Sequence, residues 1–423
     1  MTILKNNYFW MFLVFLALTG CSVSKKVQKD LVKQSEANHH FTGVLVYNTK
    51  TGKNIIDLNA SKYFTPASNT KLFTFYTAWK TLRDSVAGFE YDKAGDSLIL
   101  RGTADPGFLN DSTGADPLTF LRNWKKNIYL IDENIEEPPY GDGWSWGDYP
   151  YAYMPEKSIF PIYGNTIHID KSGDSLLVTP AFFYDKVHIR DTIYKAREKD
   201  ENIFYLQKKT SYKDKKIPFK TSSQMVADLL GQELGAKVTL IPNKESYAFK
   251  PFYRTAYDSL FTKMLVESDN FIAEQLMLQV GQALGGKFSV SEAITYSLEH
   301  YLPQIPQVPR WVDGSGLSRY NLFTPASMVH LLKKMHHEVP KERLFDYFPK
   351  GGRTGTLKNN YKNQPYIRAK SGTLSNNYNL SGYLITKKGT VLIFSYMSNH
   401  YQGGSSSVKE EISGYLARLY KAY

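Results

Sequence analysis

A serine hydroxyl becomes an acyl-transfer nucleophile only when a neighbouring base takes its proton. Ser68-Asn69-Thr70-Lys71 offers such a pair. Residues three apart share one face of a helix, about 4.5 Å apart in rise. A serine near a helix N-terminus also gains from the positive end of the dipole as negative charge develops. Lysine at its ordinary pKa is protonated at neutral pH, so Lys71 must be depressed to serve as base. Partial burial or a second cation does this, and Lys370 of Lys370-Ser371-Gly372-Thr373 is the natural second cation. That last segment reads as an accessible strand able to pair with an extended peptide. The N–H groups of Ser68 and Thr373 would then hold the oxyanion. Between the two, Ser268-Asp269-Asn270 places Ser268 to relay a proton to the leaving amine and Asn270 to bind a substrate amide. Together the three segments read as an acyl-serine enzyme.

Each segment alone is weak. Ser-x-x-Lys recurs at Ser22/Lys25 and Ser406/Lys409, Lys-Ser/Thr-Gly at Lys50-Thr51-Gly52 and Lys171-Ser172-Gly173, and Ser-x-Asn at Ser375/Asn377. The two extra lysine segments lie between alternating apolar runs, Val44 to Tyr47 then Ile55 to Leu58, and Ile167 to Ile169 then Leu176 to Val178. They read as hairpin turns. Tyr163-Gly164-Asn165 is a rival middle element, but it sits beside hairpin strands, so Ser268 is preferred. No Gly-x-Ser-x-Gly elbow is present, and His39-His40 and His336-His337 lack metal-ligand spacing.

The elements that must position these residues follow from periodicity. Residues 41 to 58 read as a hairpin, and from Ser68 the pattern turns helical, with Leu72, Phe75, Tyr76 and Trp79 as an apolar stripe. Residues 93 to 245 change to short strands, turns and prolines with one helix around Ser222 to Leu234. Helices resume over Tyr257 to Val266, Phe271 to Leu284, Ser289 to Tyr301 and Pro325 to His336. A meander follows over Tyr366 to Leu374, Asn379 to Thr386 and Val391 to Met397. A final helix carries Val408, Ile412, Leu416 and Leu419 on one face.

The N-terminus carries a second signal. Lys5 precedes an apolar run from Tyr8 to Leu18, well short of the ~20 residues a membrane-spanning helix needs. Leu18-Thr19-Gly20-Cys21 then reads as the end of an export signal over residues 1–20, with Cys21 lipidated as the mature N-terminus. Residues 21–40 are polar and lysine-rich, a tether from the membrane. Cys21 is the only cysteine in 423 residues, so no disulfide can form within the chain. Stability must come from a core, for which 42% hydrophobic and 14% aromatic content suffices. Net charge is +12, and lysines thicken between Lys195 and Lys220. Asp200, Glu201 and Asp214 dilute them, which favours a solvated basic hairpin over a face for an anionic envelope polymer. No nucleic-acid motif is present.

Serine-x-x-lysine, serine-x-asparagine and lysine-Ser/Thr-glycine, in this order, are the active-site elements of penicillin-interacting serine enzymes. The chain resembles the D-alanyl-D-alanine carboxypeptidase/endopeptidases of the low-molecular-mass class C penicillin-binding proteins. The matching stretches are Pro66-Ala67-Ser68-Asn69-Thr70-Lys71-Leu72, Glu267-Ser268-Asp269-Asn270 with Ala273-Glu274-Gln275-Leu276, Asp313-Gly314-Ser315-Gly316-Leu317-Ser318-Arg319 and Ala369-Lys370-Ser371-Gly372-Thr373-Leu374. Gly355-Thr356-Leu357 and Ser381-Gly382-Tyr383 also fit, with a weaker match at Asp105-Pro106. The resemblance implies an α/β (α+β) serine β-lactamase-like catalytic domain, an antiparallel sheet flanked by helices, over residues 41–92 and 246–423. A mainly β accessory domain over 93–245 interrupts it and looks abbreviated for the family. The resemblance further implies hydrolysis of D-Ala-linked bonds in peptidoglycan stem peptides or crosslinks through acyl-Ser68. Penicillins and other β-lactams would be covalent inhibitors, no metal or organic cofactor is used, and the chain works in the cell envelope, lipid-anchored in the periplasm. Ser371 stands where threonine is usual, and its hydroxyl keeps carboxylate binding by Ser371 and Thr373 in place. Two alternatives stay open. A serine β-lactamase needs an added water-activating group, and no Glu-x-x-Leu-Asn element follows Ser268. A non-catalytic wall-binding lipoprotein would not need the intact Ser68, Lys71, Ser268, Asn270 and Lys370.

Overall fold

The computed structural model describes residues 23–82, 85–110, 114–124, 127–244 and 246–423. The export signal and Cys21 lie outside them. Residues 23–37 form helix α1, followed by the hairpin β1 (Phe41–Asn48) and β2 (Lys53–Leu58). A 3-10 turn, Ala67–Thr70, runs into α2 (Lys71–Thr81). The chain then leaves through β3 (Ser85–Ala94), β4 (Ser97–Arg101), α3 (Pro117–Arg122) and β5 (Asn127–Ile131). Next come β6 (Thr166–Ser172), β7 (Ser175–Thr179), β8 (Val187–Arg190), β9 (Phe204–Gln207), β10 (Tyr212–Pro218), α4 (Ser223–Leu234), β11 (Val238–Ile241) and β12 (Lys250–Ala256). It returns by α5 (Tyr257–Val266), α6 (Asn270–Gly285), α7 (Val290–Tyr296), α8 (Pro325–Glu338) and the short α9 (Lys341–Leu344). The end is β13 (Ile367–Leu374), β14 (Asn377–Ile385), β15 (Val391–Asn399) and α10 (Ser406–Ala422).

Hydrogen bonding joins the first hairpin to the final meander in one antiparallel sheet, ordered β13-β14-β15-β1-β2. Both faces are covered, which the alternation along β1 shows. Val44 and Val46 pack with Val27, Leu31, Ile412 and Leu416 of the helices α1 and α10, while Leu45 points to the core shared with α2, α6 and α8. Helix α2 runs through that core and is buried from Lys71 to Ala78, not only along the expected stripe. Its polar residues are therefore paired: Thr74 donates to the Gly314 carbonyl (2.6 Å), and the Thr77 and Ser297 hydroxyls are 2.6 Å apart.

Residues 23–37 differ from the expected tether. They are helical, with Val27 and Leu31 essentially inaccessible and Asp30 ion-paired with Arg418 at 2.7 Å. Polar composition hid a two-residue apolar stripe at i and i+4, enough to dock one short helix.

The interrupting segment forms a mixed five-stranded sheet ordered β11-β5-β4-β3-β12, a three-stranded sheet β10-β6-β7 and a parallel pair of β8 with β9. Strands β3 and β12 pair antiparallel, so this sheet reaches from Ser85 to Ala256, past the 93–245 read from composition. The turns at Lys50-Thr51-Gly52 and Lys171-Ser172-Gly173 join β1 to β2 and β6 to β7, as read, with Gly52 and Gly173 both at positive φ. Arg254 of β12 is buried against Asp105 at 2.8 Å and locks the outgoing and returning strands together.

Candidate active site

Ser68 lies in the 3-10 turn one residue after Ala67, whose φ is +48°. A left-handed alanine costs about 1 kcal/mol and is kept only where the surroundings over-determine it. Here they do. Gly316 (φ +82°) presses against the Ala67 carbonyl, where an added Cβ would come within 2.0 Å. On the other side β13 crosses the turn so closely that a Cβ on Gly372 would meet the Pro66 carbonyl at 2.4 Å and the Ser68 amide nitrogen at 3.1 Å. Glycine is thus required in the Lys370-Ser371-Gly372 segment by contact with the nucleophile turn. Beneath the turn, Asn69 donates to Ser381 Oγ (2.8 Å), itself 2.8 Å from Ser395 Oγ, tying the turn to the middle of the sheet.

The Ser68 hydroxyl is half-buried and accepts from Lys71 Nζ at 3.0 Å. Lys71 is wholly buried, and its amine also donates to Asn270 Oδ1 and to the Ser315 carbonyl, each at 2.6 Å. Asn270 opens α6 behind the N-cap Asp269, whose side chain accepts from the Ile272 amide. Ser268, at φ +63°, turns the chain between α5 and α6 so that its hydroxyl accepts from Lys370 Nζ at 2.8 Å. Lys370 reaches there from β13, wholly buried, and also donates to the Ser371 carbonyl (2.7 Å). Two amine–hydroxyl pairs, Lys71–Ser68 and Lys370–Ser268, therefore come from three separate stretches of chain.

Burial pushes the Lys71 amine down from its ordinary value to about 8, against the opposing pull of Asp313, Glu274 and Asp269. Lys370 is pushed well down as well, by burial first and by the charge on Lys71 second. Of the two expected causes, burial leads for Lys71 and the Lys370 charge is not among those acting on it, and among the described residues no carboxylate counters the depression of Lys370. A bound anionic group beside Lys370 would restore its charge.

The carboxylates behind Lys71 were quoted in the sequence without a role. Asp313 accepts from the Gly316 and Ser318 amides (2.8 and 2.7 Å), from Asn321 Nδ2 (2.7 Å) and from the Trp144 indole (2.8 Å). Glu274, one helical turn after Asn270, accepts from the Ser315 and Gly314 amides (2.7 and 3.2 Å). Burial and the nearby Asp313 raise its carboxyl to about 7. Together they fix the loop whose Ser315 carbonyl accepts from Lys71.

A cavity of about 330 Å³ opens over Ser68, lined by Asn270, Thr373, Tyr153, Trp144, Asp148 and Arg319 among others. Thr373 is exposed at its rim on β13, an edge strand whose inner end alone is covered, through the Ala369 amide to the Pro349 carbonyl. Ser371 donates to Thr356 Oγ1 (2.8 Å), which gives the Gly355-Thr356-Leu357 stretch its place at the site. Tyr163-Gly164-Asn165 lies elsewhere. The Tyr163 hydroxyl bonds Glu233 at 2.6 Å and Asn165 holds the Glu156 carbonyl at 2.8 Å. Among the described residues no group of three or more His, Cys, Asp or Glu could hold a metal ion, and no described helix is long and apolar enough to cross a membrane.

A pH dependence follows from Lys71. The base accepts a proton only when neutral, so acylation is expected to climb as pH rises through about 8. The neutral fraction, and with it the acylation rate constant, should grow about fiftyfold between pH 6 and pH 8. Stopped-flow acylation by a chromogenic β-lactam across pH 5.5–9.5 measures this, and a flat profile would remove Lys71 from the role of base.

A model of the D-Ala-D-Ala carboxypeptidase 3 (S13) family matches residues 23–192 and 256–419. Penicillin-sensitive carboxypeptidase A of Dictyostelium discoideum is 25% identical over 395 residues, covering 76% of this chain and 74% of that one. D-alanyl-D-alanine carboxypeptidase DacB of Haemophilus influenzae is 24% identical over 369 residues, covering 74% and 75%. The crystal structure of penicillin binding protein 4 (dacB) from Haemophilus influenzae superposes with a TM-score of 0.74 at 22% identity, over 90% of this chain and 97% of that one.

Proposed function

The chain belongs to the D-Ala-D-Ala carboxypeptidase 3 (S13) peptidase family, and from this premise we propose how its site cleaves D-Ala-linked bonds of peptidoglycan. It is a serine-type D-Ala-D-Ala carboxypeptidase/endopeptidase, and β-lactams bind it covalently. Ser68 Oγ attacks the carbonyl carbon of the D-Ala bond and its proton passes to Lys71 Nζ, 3.0 Å away. The N–H groups of Ser68 and Thr373 hold the oxyanion while the extended substrate pairs with the free outer edge of β13. Asn270 Nδ2 gives one hydrogen to the Tyr153 carbonyl (2.9 Å) and keeps the other for a substrate amide. The terminal carboxylate lies against Thr373 and Lys370, with the Ser371 hydroxyl turning to it from Thr356, and its charge restores the proton on Lys370. Ser268, bonded to Lys370, then relays a proton to the leaving amine as the C–N bond breaks, and water hydrolyses acyl-Ser68. The observation that carries this reading is the Ser68–Lys71–Asn270 chain of contacts at the floor of an open cavity.

A β-lactamase would need a carboxylate free to activate water on the ester. Glu274, buried behind Lys71, has both oxygens committed to the Gly314 and Ser315 amides, which supports a peptidase instead. Membership of a family of D-Ala-D-Ala carboxypeptidases, whose substrate lies outside the cytoplasm, supports a place at the cell envelope. Within it, Cys21 is lipidated after export and holds the protein at the membrane from the periplasmic side. The packed helix over residues 23–37 keeps the catalytic body close to that anchor rather than at the end of a loose tether.

The test is fluorescent-penicillin labelling of the wild-type protein over time, with intact mass of the adduct and muropeptide analysis after digestion of purified peptidoglycan. A slowly lost adduct, with release of D-Ala or loss of D-Ala-linked crosslinks, is expected. Destruction of the drug without an adduct would replace the peptidase by a β-lactamase.

A further inference from the structure

Beside the catalytic cavity a second groove, of about 660 Å³, crosses the interrupting segment. Its floor and rim carry Trp146, Tyr151, Tyr153 and Tyr194, with Lys195, Lys215 and Lys216 along one wall and no carboxylate among the described residues lining it. Trp146 is 78% exposed, Tyr151 55% and Tyr194 fully exposed. Large aromatic rings gathered in the open are costly to leave to water, and such patches with a polar rim mark interaction sites. Two of these rings are also held in place. The Tyr151 and Tyr153 rings lie nearly parallel (7°), 5.5 Å apart. The strand of chain that bears them is pinned by Trp144 to Asp313 (2.8 Å), by the Tyr149 hydroxyl to the Arg197 carbonyl (3.0 Å) and by Asn270 to the Tyr153 carbonyl (2.9 Å). A platform ordered before its partner arrives keeps the entropic cost of binding low.

Tyr153 lines both cavities, so the groove adjoins the catalytic cavity across this one side chain. Its basic wall lies between residues 193 and 255, which the family model does not match. We infer that this groove binds the glycan strand of polymeric peptidoglycan while a stem peptide attached to that strand occupies the catalytic cavity. The inference rests on the peptidase reading above and names the part of the substrate that reading leaves unplaced. Pyranose rings have apolar C–H faces that stack on Trp and Tyr and polar edges that hydrogen-bond to their rims. Lys215, which lies over the Tyr212 ring, and Lys195 and Lys216, which face Glu198 at 2.5 Å and Asp214 at 3.9 Å, present donors to the carboxylates of neighbouring stem peptides along the strand. The basic cluster that composition alone assigned to a solvated hairpin thereby gains a partner.

The experiment uses the double variant Trp146→Ala/Tyr194→Ala, neither residue being part of the catalytic machinery. Penicillin acylation and cleavage of a soluble pentapeptide should stay at the wild-type rate, while digestion of intact sacculi falls about tenfold, as expected for removal of two anchoring rings. Equal loss on soluble and polymeric substrates, or no loss on sacculi, would overturn the inference. Sedimentation with sacculi in a Ser68→Ala background reads the groove without catalysis, so a failure of the peptidase reading remains distinguishable. Competitors identify the occupant. Glycan strands stripped of peptide should release the protein, whereas release by free stem peptides alone would overturn a glycan site.

Discussion

Ser68→Ala is expected to give no covalent penicillin adduct at any time of incubation, with an intact mass equal to that of the unmodified chain. Ser68 both lines the catalytic cavity and has a buried amine at hydrogen-bond distance, whereas Ser268, which shares the second of these, is not among the residues lining it. Ser268 has an amine neighbour in Lys370 but belongs to the interhelical turn, and Ser371 is committed to Thr356. The fold should survive the change. Ser68 is half-buried and its hydroxyl makes a single contact, with Lys71, so about 1 kcal/mol of stability is at stake. Thermal unfolding should therefore shift by only a few degrees, and β13 should still cross the turn, because the close approach at Gly372 involves backbone atoms. Labelling comparable to wild type would give the role of nucleophile to another residue.

How far the sequence reveals this site depends on which interactions are local. Helix α5 coincides with the Tyr257 to Val266 read from periodicity, and α10 buries the four residues named for its inner face, because amphipathic spacing is written along a single segment. The Ser68–Lys71 contact is equally local, three residues on one turn. The meeting of Ser268 with Lys370 is not. It depends on a left-handed serine between two helices and on an edge strand a hundred residues later, and only the order of the motifs hinted at it. The parallel pairing of β5 with β11, and the antiparallel pairing of β3 with β12 beyond the composition change, join segments whose own patterns carry no mark of the partner. Helix α1 was missed for the same reason, since the surface that buries Val27 and Leu31 is built largely by the other end of the chain. The charge balance between the two lysines was also invisible. Asp313 and Glu274 lie on the Lys71 side, held there by backbone amides, and their charges oppose the depression of Lys71, whereas burial and the Lys71 charge both push Lys370 down.

That asymmetry sets the expectation for Lys71→Ala, the second large effect. The variant should still bind penicillin in the cavity, because Thr373, Asn270 and the rim of the site are unchanged, but acylation should slow by on the order of a thousandfold, within the range that a positioned general base contributes. Lys370 should not take over, since its amine is directed to the Ser268 hydroxyl and the Ser371 carbonyl. A structural role alone would also lower the rate, so the pH profile separates the two. Wild-type acylation climbs with pH through about 8 as Lys71 loses its proton, and the variant should lose that limb and run flat over the same range. Stability should change little in net. Removing a wholly buried amine relieves its desolvation, whereas the Asn270 Oδ1 and the Ser315 carbonyl each lose a donor, at about 1–3 kcal/mol for each group left unpaired. A variant that retains the rise through pH 8 would show that another group, and not Lys71, accepts the proton of Ser68.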